Sequence, residues 1–320
     1  MGSNGRVRLV LALTLFVALA IAGPAAAYEL RWGTAPAGGV WQALGTAMVE
    51  DVAKIDSSIK GATVPIGGAA NVIAVHAGKT NAAFSFSSTA GEAWEGKEFF
   101  KEQGQLRNIR QLAVLFPEPS QIMVDKESGI TDIKQLKGKR VTPGPKGSAI
   151  SVVSRHLVNA LGMTFDDFSI RFLSFSEAGQ QFVDGHLDAL LYGAMAYPAP
   201  PIVNASSRRD VKLLPLSQDL IDKLVKEHRG LEPYTLAAGC YPGVDQPVPG
   251  IAANVVAIVS KDMPEEVAYS LTKSIYQNFN RYGSLAKAMA LGKREEMAKD
   301  AGIPIHPGAV KFYKEIGLLK

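Results

Sequence analysis

Residues 28–54, YELRWGTAPAGGVWQALGTAMVEDVAK, decide the fold. YELRWGT (28–34) is short, carries aromatic and β-favouring residues and runs into glycine, so it reads as a strand. GTAPAGG (33–39) is a glycine-rich turn. From Val40 to Lys54 the apolar period changes: Leu44, Met48 and Val52 fall at i, i+4 and i+8, along one face of a helix. A strand, a glycine turn and a helix in that order open a βαβ unit, so the stretch predicts an α/β fold with a largely parallel sheet.

The same rhythm continues outward. ATVPIG (62–67), AAFSF (82–86), RQLAVLF (110–116) and SQIMVD (120–125) read as strands, and Ala69 to Ala77 as a helix. After SGITDIKQLKGKRV a second set begins, with strands expected at 140–142, 170–173, 189–192 and 211–214 and helices at 148–161 and 176–184. AANVVAIVS (252–260) returns to an apolar strand. A helix then opens near Pro264, with Glu265 and Glu266 in its first turn, where the helix dipole favours negative charge. Two such sets imply two lobes, each a mostly parallel sheet flanked by helices. The expected division is residues 28–124 plus 241–320 for lobe 1 and residues 125–240 for lobe 2, joined by a hinge.

The leader has a different character. Residues 1–27 hold Arg6 and Arg8 as their only charges, then an apolar run from Leu9 to Ala22 and the small residues Ala25, Ala26 and Ala27. That order is a secretory signal peptide cleaved before Tyr28, which directs the chain to a periplasm. Without Arg6 and Arg8 the formal charge falls below the +4 of the whole sequence, too little for a polyanion-binding surface. Hydrophobic residues at 47% and charged residues at 20% exclude a disordered chain. Cys240 is the only cysteine and cannot form an internal disulfide, so it reads as a small buried hydrophobe and stability must come from core packing.

Catalysis finds little support. The histidines, His76, His156, His186, His228 and His306, stand at no metal-ligand spacing such as H-E-x-x-H and read as surface or helix-face residues, so no metal and no cofactor is expected. No G-x-S-x-G elbow occurs, and the paired carboxylates Asp166–Asp167 and Glu265–Glu266 read as helix starts. An enzyme is not expected. What stands out instead is a set of small-residue turns at strand ends: GTAPAGG, PIGGAAN (65–71), FSFSST (84–89) and TPGPKGSA (142–149). Ligands of open α/β sheets bind outside the carboxyl ends of the strands, and a helix that follows such a turn offers unpaired N–H groups to an anion. In the last turn Gly144 and Gly147 let the backbone curl and Ser148 can cap the following helix, while GPKGSA lacks the ending of a phosphate-binding P-loop. Four turns together favour a pocket for a small anion such as a carboxylate.

Long ordered stretches resemble the TAXI family of extracytoplasmic solute receptors, the binding components of TRAP transporters. The resemblance runs through GTAPAGGVWQALGTAMVEDV, IGGAANVIAVHAGKTNAAFSF, LAVLFPEPSQIMVDKESGITDIKQLKGKRVTPGPKGSAI, SFSEAGQQFVDGHLDALLYGA and AAGCYPGVDQPVPGIAANVVAIVSKDMPEEVAYSLTKSIYQN, and ends with IPIHPGAVKFYKEIG. It implies the two-lobed, type II-like periplasmic binding protein fold, a hinge that closes on glutamate, 2-oxoglutarate or another small organic anion, and delivery to a membrane permease of a TRAP transporter. An ATP-driven importer or a sensor is the alternative, and a monomer is expected. The family's ligand turns fall here on Thr34, Gly38 and Gly39, on Gly67, Gly68 and Asn71, and on Gly144, Gly147 and Ser148.

The sequence departs from that family at three places. Pro36 and Ala37 replace hydroxyl residues, Val40 and Trp41 replace an aromatic pair, and Ala149 and Ile150 replace a Gly-Thr pair. The lost hydroxyls shift the expectation from glutamate toward a less polar carboxylate, or a dicarboxylate held by other groups, because polar ligand groups left unpaired cost about 1 to 3 kcal/mol each. Trp41, Ala149, Tyr192 and Tyr197 join the candidate ligand residues, the tyrosines as rings that pack on a ligand while donating a hydroxyl. Ser87 joins them by strand alternation, which puts Ser85 and Ser87 on one face and Ser88 on the other. Glu118, between two prolines, reads equally as a hinge element or a ligand contact, Tyr241 as a hinge residue, and Lys146 as a solvated turn residue.

Overall fold

The computed structural model describes residues 27–35 and 40–320. The expected leader, apart from Ala27, and the glycines Gly38 and Gly39 lie outside the described residues. Among the described residues no helix is long and apolar enough to cross a membrane.

Two sheets organise the chain. The first runs in the order β10 (Leu231–Leu236), β11 (Val248–Ser260), β3 (Ala82–Phe86), β1 (Tyr28–Thr34), β2 (Ile59–Pro65), with β4 (Ile109–Pro119) also paired to β11. The second runs β7 (Ser169–Ile170), β6 (Arg140–Thr142), β8 (Ala189–Tyr192), β5 (Gln121–Asp125), β9 (Val211–Leu213). Both sheets are mixed. β1 is parallel to β2 and β3, while β11 is antiparallel to β3, β4 and β10. β6 is parallel to β7 and β8, and β5 is antiparallel to β8 and β9. The largely parallel sheets expected from the sequence therefore hold for the strands around the glycine turns and fail at the crossing strands, which enter each sheet from the other.

Burial explains the pattern. β11 is buried on both faces: Val255, Ala257 and Val259 enter the main core, while Val256 and Ile258 enter a smaller one with Val72, Val75, Phe100 and Val114. A strand covered on both sides reads as a continuous apolar run, as AANVVAIVS does. Helix α1 (Val40–Ile55) lays Trp41, Leu44, Met48 and Val52 on the first sheet, and it comes very near. A Cβ at Gly45 would stand 2.4 Å from the Thr34 side chain and 3.2 Å from the Phe84 ring, so a larger residue would push the helix off β1 and β3. Each fully buried aromatic beneath it, such as Trp32 or Phe84, contributes roughly 1.5 to 3 kcal/mol through burial.

The chain passes between the sheets more than twice. It leaves the first sheet at Ser120, whose hydroxyl accepts from the Ile251 N–H at 3.2 Å, and rejoins it at β10. The loop between β10 and β11 then reaches the second sheet, where Tyr241 donates to Gln121 Oε1 at 2.5 Å and accepts from the Ala199 N–H at 2.7 Å. β5 thus belongs to the second sheet and β10 to the first.

Candidate functional site

The glycine turns carry the geometry. Helix α2 (Gly68–His76) starts at the carboxyl end of β2, with Gly67 (φ 84°) as its N-cap and Gly68 at φ 57°. Helix α4 (Ala149–Ala160) follows β6, with Ser148 as N-cap accepting from the Ser151 N–H at 3.2 Å. The two turns meet across the sheets: a Cβ at Gly68 would lie 2.6 Å from the Gly147 carbonyl oxygen and 3.5 Å from both the Ser148 Cα and the Ala149 nitrogen. Only glycine combines this approach with a positive φ. The N-terminus of one helix from each sheet therefore opens at the same junction, and both carry unpaired N–H groups and the positive end of a dipole.

Other expected site residues are held by protein partners. Asn71 is fully buried, donates to the Phe84 carbonyl at 2.9 Å and the Thr34 carbonyl at 3.2 Å, and accepts from the Gly67 N–H at 3.1 Å. It ties three strand ends into one wall. Thr34 hydroxyl stands 2.7 Å from Gln42 Oε1. Ser87 donates to the Gly230 carbonyl at 2.7 Å and accepts from the Asn254 N–H at 3.3 Å.

The expectation that Ser87 continues a strand is corrected: it opens helix α3 (Ser87–Glu95), so the alternation argument stops at Phe86. Ser88 and Thr89, in the first turn of that helix, have buried hydroxyls with no partner among the described residues. Sequence reasoning turned Ser88 away from the site because it extended a two-residue period into a helical segment.

On the second sheet Gly144 (φ 91°) sits 3.5 Å, from an added Cβ, to the Phe175 ring, and Phe175 meets Tyr192 edge-on at 6.2 Å. Tyr192 is fully buried with an unpartnered hydroxyl, and burial pushes its pKa well up, so it acts only as a neutral donor or acceptor. Ala149, the residue after the Ser148 cap, is buried. Tyr197 spends its hydroxyl on the Cys240 carbonyl at 3.0 Å. Its ring lines a cavity of about 320 Å³ together with Val40, Ala43, Pro198, Leu285 and Lys287. That cavity lies beside the first turn of α1, and its volume suits a small organic molecule.

Glu118 is the group whose importance the sequence left open. It is buried in the crease where β4 runs into β5, accepts from Trp41 Nε1–H at 3.3 Å and from the Ala196 backbone N–H, and has no counter-ion among the described residues. Desolvation by burial outweighs these hydrogen bonds and raises its pKa to about 8, so the carboxyl is mostly protonated at neutral pH. Trp41 is fixed above it by Phe84 and, edge-on at 5.5 Å, by Phe86. Trp41 thus joins α1 of the first sheet to the crossing strand.

A second buried carboxyl lies on α3. Glu92 Oε1 is 2.7 Å from His156 Nε2 and 3.6 Å from His228 Nδ1. Burial alone would raise this carboxyl, but the hydrogen-bonding character and charge of His156 and His228 hold it below the ordinary glutamate range. The histidines are expected on surfaces or helix faces; His156 is on a helix face but buried at 3% exposure, and His306, 2% exposed, is a buried helix cap outside both expectations. His156 points from the inner face of α4 and His306 caps helix α9 (Pro307–Glu315).

Residues 32–317 match the model of a family described as the NMT1-like family. Among solved structures, a protein of Bordetella bronchiseptica RB50 is 15% identical over 91% of this chain and 89% of its own, with a TM-score of 0.51. A Xanthomonas citri protein bound to chloride ion is 13% identical over 91% of this chain and 97% of its own, with a TM-score of 0.50. The alkanesulfonate-binding protein SsuA from Xanthomonas axonopodis pv. citri, bound to MOPS, is 16% identical over 92% of this chain and 86% of its own, with a TM-score of 0.49. At these identities the likeness concerns the fold. The α/β architecture of two mixed sheets flanked by helices is the fold that these comparisons share.

Proposed function

The chain belongs to the NMT1-like family, and on that premise we propose that it is an extracytoplasmic solute-binding receptor that captures a small organic anion between its two sheets and delivers it to a membrane permease. The observation that carries this reading is the convergence of the Gly67–Gly68 and Gly147–Ser148 turns, each opening a helix N-terminus at one junction. Backbone N–H groups and dipole ends favour negative charge, and no exposed cation is needed to hold it. Unpartnered hydroxyls at Ser88, Thr89 and Tyr192 supply further donors. A protonated Glu118 beside Trp41 adds a buried group that can donate to a carboxylate without repelling it.

On this reading the division expected at 28–124 with 241–320 and at 125–240 shifts, with β5 assigned to the second lobe and β10 to the first. The ligand class is a carboxylate less polar than glutamate, or a dicarboxylate, because Ala149 and Pro36 offer no hydroxyl. The partner is a TRAP-type permease, a reading that rests on the motif resemblance. Export through the leader would put the receptor in the periplasm, as a monomer.

A thermal-shift screen of ligand-stripped protein against carboxylates, amino acids, sulfonates and phosphate tests the site. A ligand at about a hundred times its dissociation constant adds roughly 2.7 kcal/mol, a shift of several degrees. Gly68→Ala, which drives a methyl into the Gly147 carbonyl, is expected to weaken the responding ligand at least tenfold. Full affinity in a folded Gly68→Ala protein overturns the junction as the site, and a response to sulfonates alone overturns the carboxylate class. Uptake that persists when ATP is depleted and stops when the ion gradient collapses supports the TRAP partner; the opposite pattern points to an ATP-driven importer.

A further inference from the structure

Three elements that the chain keeps far apart bring Glu92, His156 and His228 to one point. Glu92 projects from α3, which packs on the first sheet, and His156 from α4 of the second. His228 caps helix α7 (Gln218–Glu227), which packs against α4, β10 and β11 and so spans both. One oxygen from Glu92 and one nitrogen from each histidine lie within 4.8 Å of one another. The 2.7 and 3.6 Å separations from Glu92 Oε1 bracket the roughly 3.4 Å edge of a tetrahedron with bonds of about 2.1 Å.

The close pair is not a finished hydrogen bond. Both Glu92 oxygens and His156 Nε2 are buried without an aligned partner, even though Oε1 and Nε2 are near each other. Buried polar atoms of this kind normally find partners, and a cation held by Glu92 and the two imidazoles would supply one. The imidazole rings lie 3.9 Å apart with a 31° tilt, which brings both to the same carboxyl.

The surroundings fit. Glu92 and His228 open on a recess of about 50 Å³ whose rim carries Glu95, Glu98 and Glu227, with Lys97 and Arg229. Lys97 is paired with Glu95 at 2.7 Å and Arg229 with Asp300 at 3.0 Å, so the rim offers no unneutralised positive charge of its own. The recess has room for one or two waters, the open positions of a three-ligand site.

We propose that Glu92, His156 and His228 form a binding site for a divalent transition-metal ion of the zinc class, completed by water from the recess. Two imidazoles and one carboxylate are a donor set that suits zinc over magnesium or calcium. Because its ligands come from both sheets, the ion clamps the interface on the side of α3 and α4. On the reading of two lobes that move apart, it favours the closed arrangement and slows ligand release.

The test uses the whole chain, stripped with a chelator and titrated with zinc chloride by calorimetry, with bound metal counted by elemental analysis. One zinc per chain and a melting point raised by several degrees are expected. His156→Asn and His228→Gln should each weaken zinc at least a hundredfold, and His186→Ala, at an exposed position, should not. Cobalt(II) provides a readout on the unaltered chain: a visible d–d absorption that zinc displaces. Less than 0.2 zinc per chain, no cobalt band, or binding unchanged in His156→Asn and His228→Gln overturns the site. The outcome stands apart from the anion site, since it is read without any carboxylate present.

Discussion

Glu118 and Glu92 are both buried, 3% and 7% exposed, yet their carboxyls are shifted in opposite directions. Glu118 has an indole and a backbone N–H but no counter-charge, so the cost of desolvation wins and it is held neutral near pH 7. Glu92 has two imidazoles within 3.6 Å, and they overcome the same cost. Equal burial therefore does not set the charge of a carboxyl; the nearest groups do. The crease keeps a neutral acid next to Trp41, and the α3–α4 side keeps an anion that can hold a cation.

Removing the Glu92 charge breaks the comparison with the largest expected effect. In chelator, so that no metal contributes, Glu92→Gln is expected to lose about 1 to 3 kcal/mol, because it leaves the buried imidazoles without their carboxylate partner. The sign with pH follows from the lowered carboxyl. Its contribution is present above the ordinary glutamate pKa and is lost as pH falls through the lower folded-state value, so wild type and variant should converge in acid. Urea denaturation at pH 7 and at pH 3.5 measures both. Equal stability at pH 7 would show that the cluster contributes nothing to holding the sheets together.

Glu118→Gln is expected to act oppositely and somewhat less. A folded pKa near 8 means that the folded chain retains a proton the unfolded chain has released, so wild type loses stability as pH rises from about 4.5 to about 8. Glutamine keeps the shape and cannot ionise. The variant should match wild type near pH 4.5 and exceed it by about 2 kcal/mol at pH 8.5, after discounting the shift for water entering the crease. Parallel pH profiles for the two proteins would mean that Glu118 is solvated and ordinary.

The sequence shows one of these glutamates more readily than the other. Glu118 stands between Pro117 and Pro119 at the end of an apolar strand, and those prolines mark the crossing. Nothing in the chain joins Glu92 to His156 and His228, because their meeting depends on how two helices from different sheets pack. The strands β1, β3, β6 and β8 are legible to the residue, being short apolar runs closed by glycine, proline or a helix start. Helix α3 is not, since SSTAGEAWE is poorly amphipathic and opens with three hydroxyl residues; Gly96, its left-handed C-cap, was the available signal. β10 is hidden by Pro233, which an edge strand tolerates and a central one does not. The glycine turns of the anion site are visible because their backbone demands glycine. Which side chains at the junction stay free, such as Ser88, is decided by hydrogen bonds that only the fold defines.

Trp41→Phe gives the smallest expected change and the finest test of why the two carboxyls differ. Phenylalanine keeps an aromatic ring against Phe84 and Phe86 but removes the indole N–H that stabilises ionised Glu118. That hydrogen bond is long at 3.3 Å, and its loss should cost about 1 kcal/mol or less at neutral pH, where the carboxyl is mostly protonated. The carboxyl itself should move further up, because one of the two interactions opposing desolvation is gone. The difference in stability between Trp41→Phe and the Trp41→Phe, Glu118→Gln double variant, followed with pH, isolates this: its midpoint should shift alkaline relative to the same difference in the wild-type background. An unmoved midpoint would assign the balance at Glu118 to the Ala196 N–H and the surrounding apolar packing, leaving Trp41 as a wall of the crease and not a regulator of its charge.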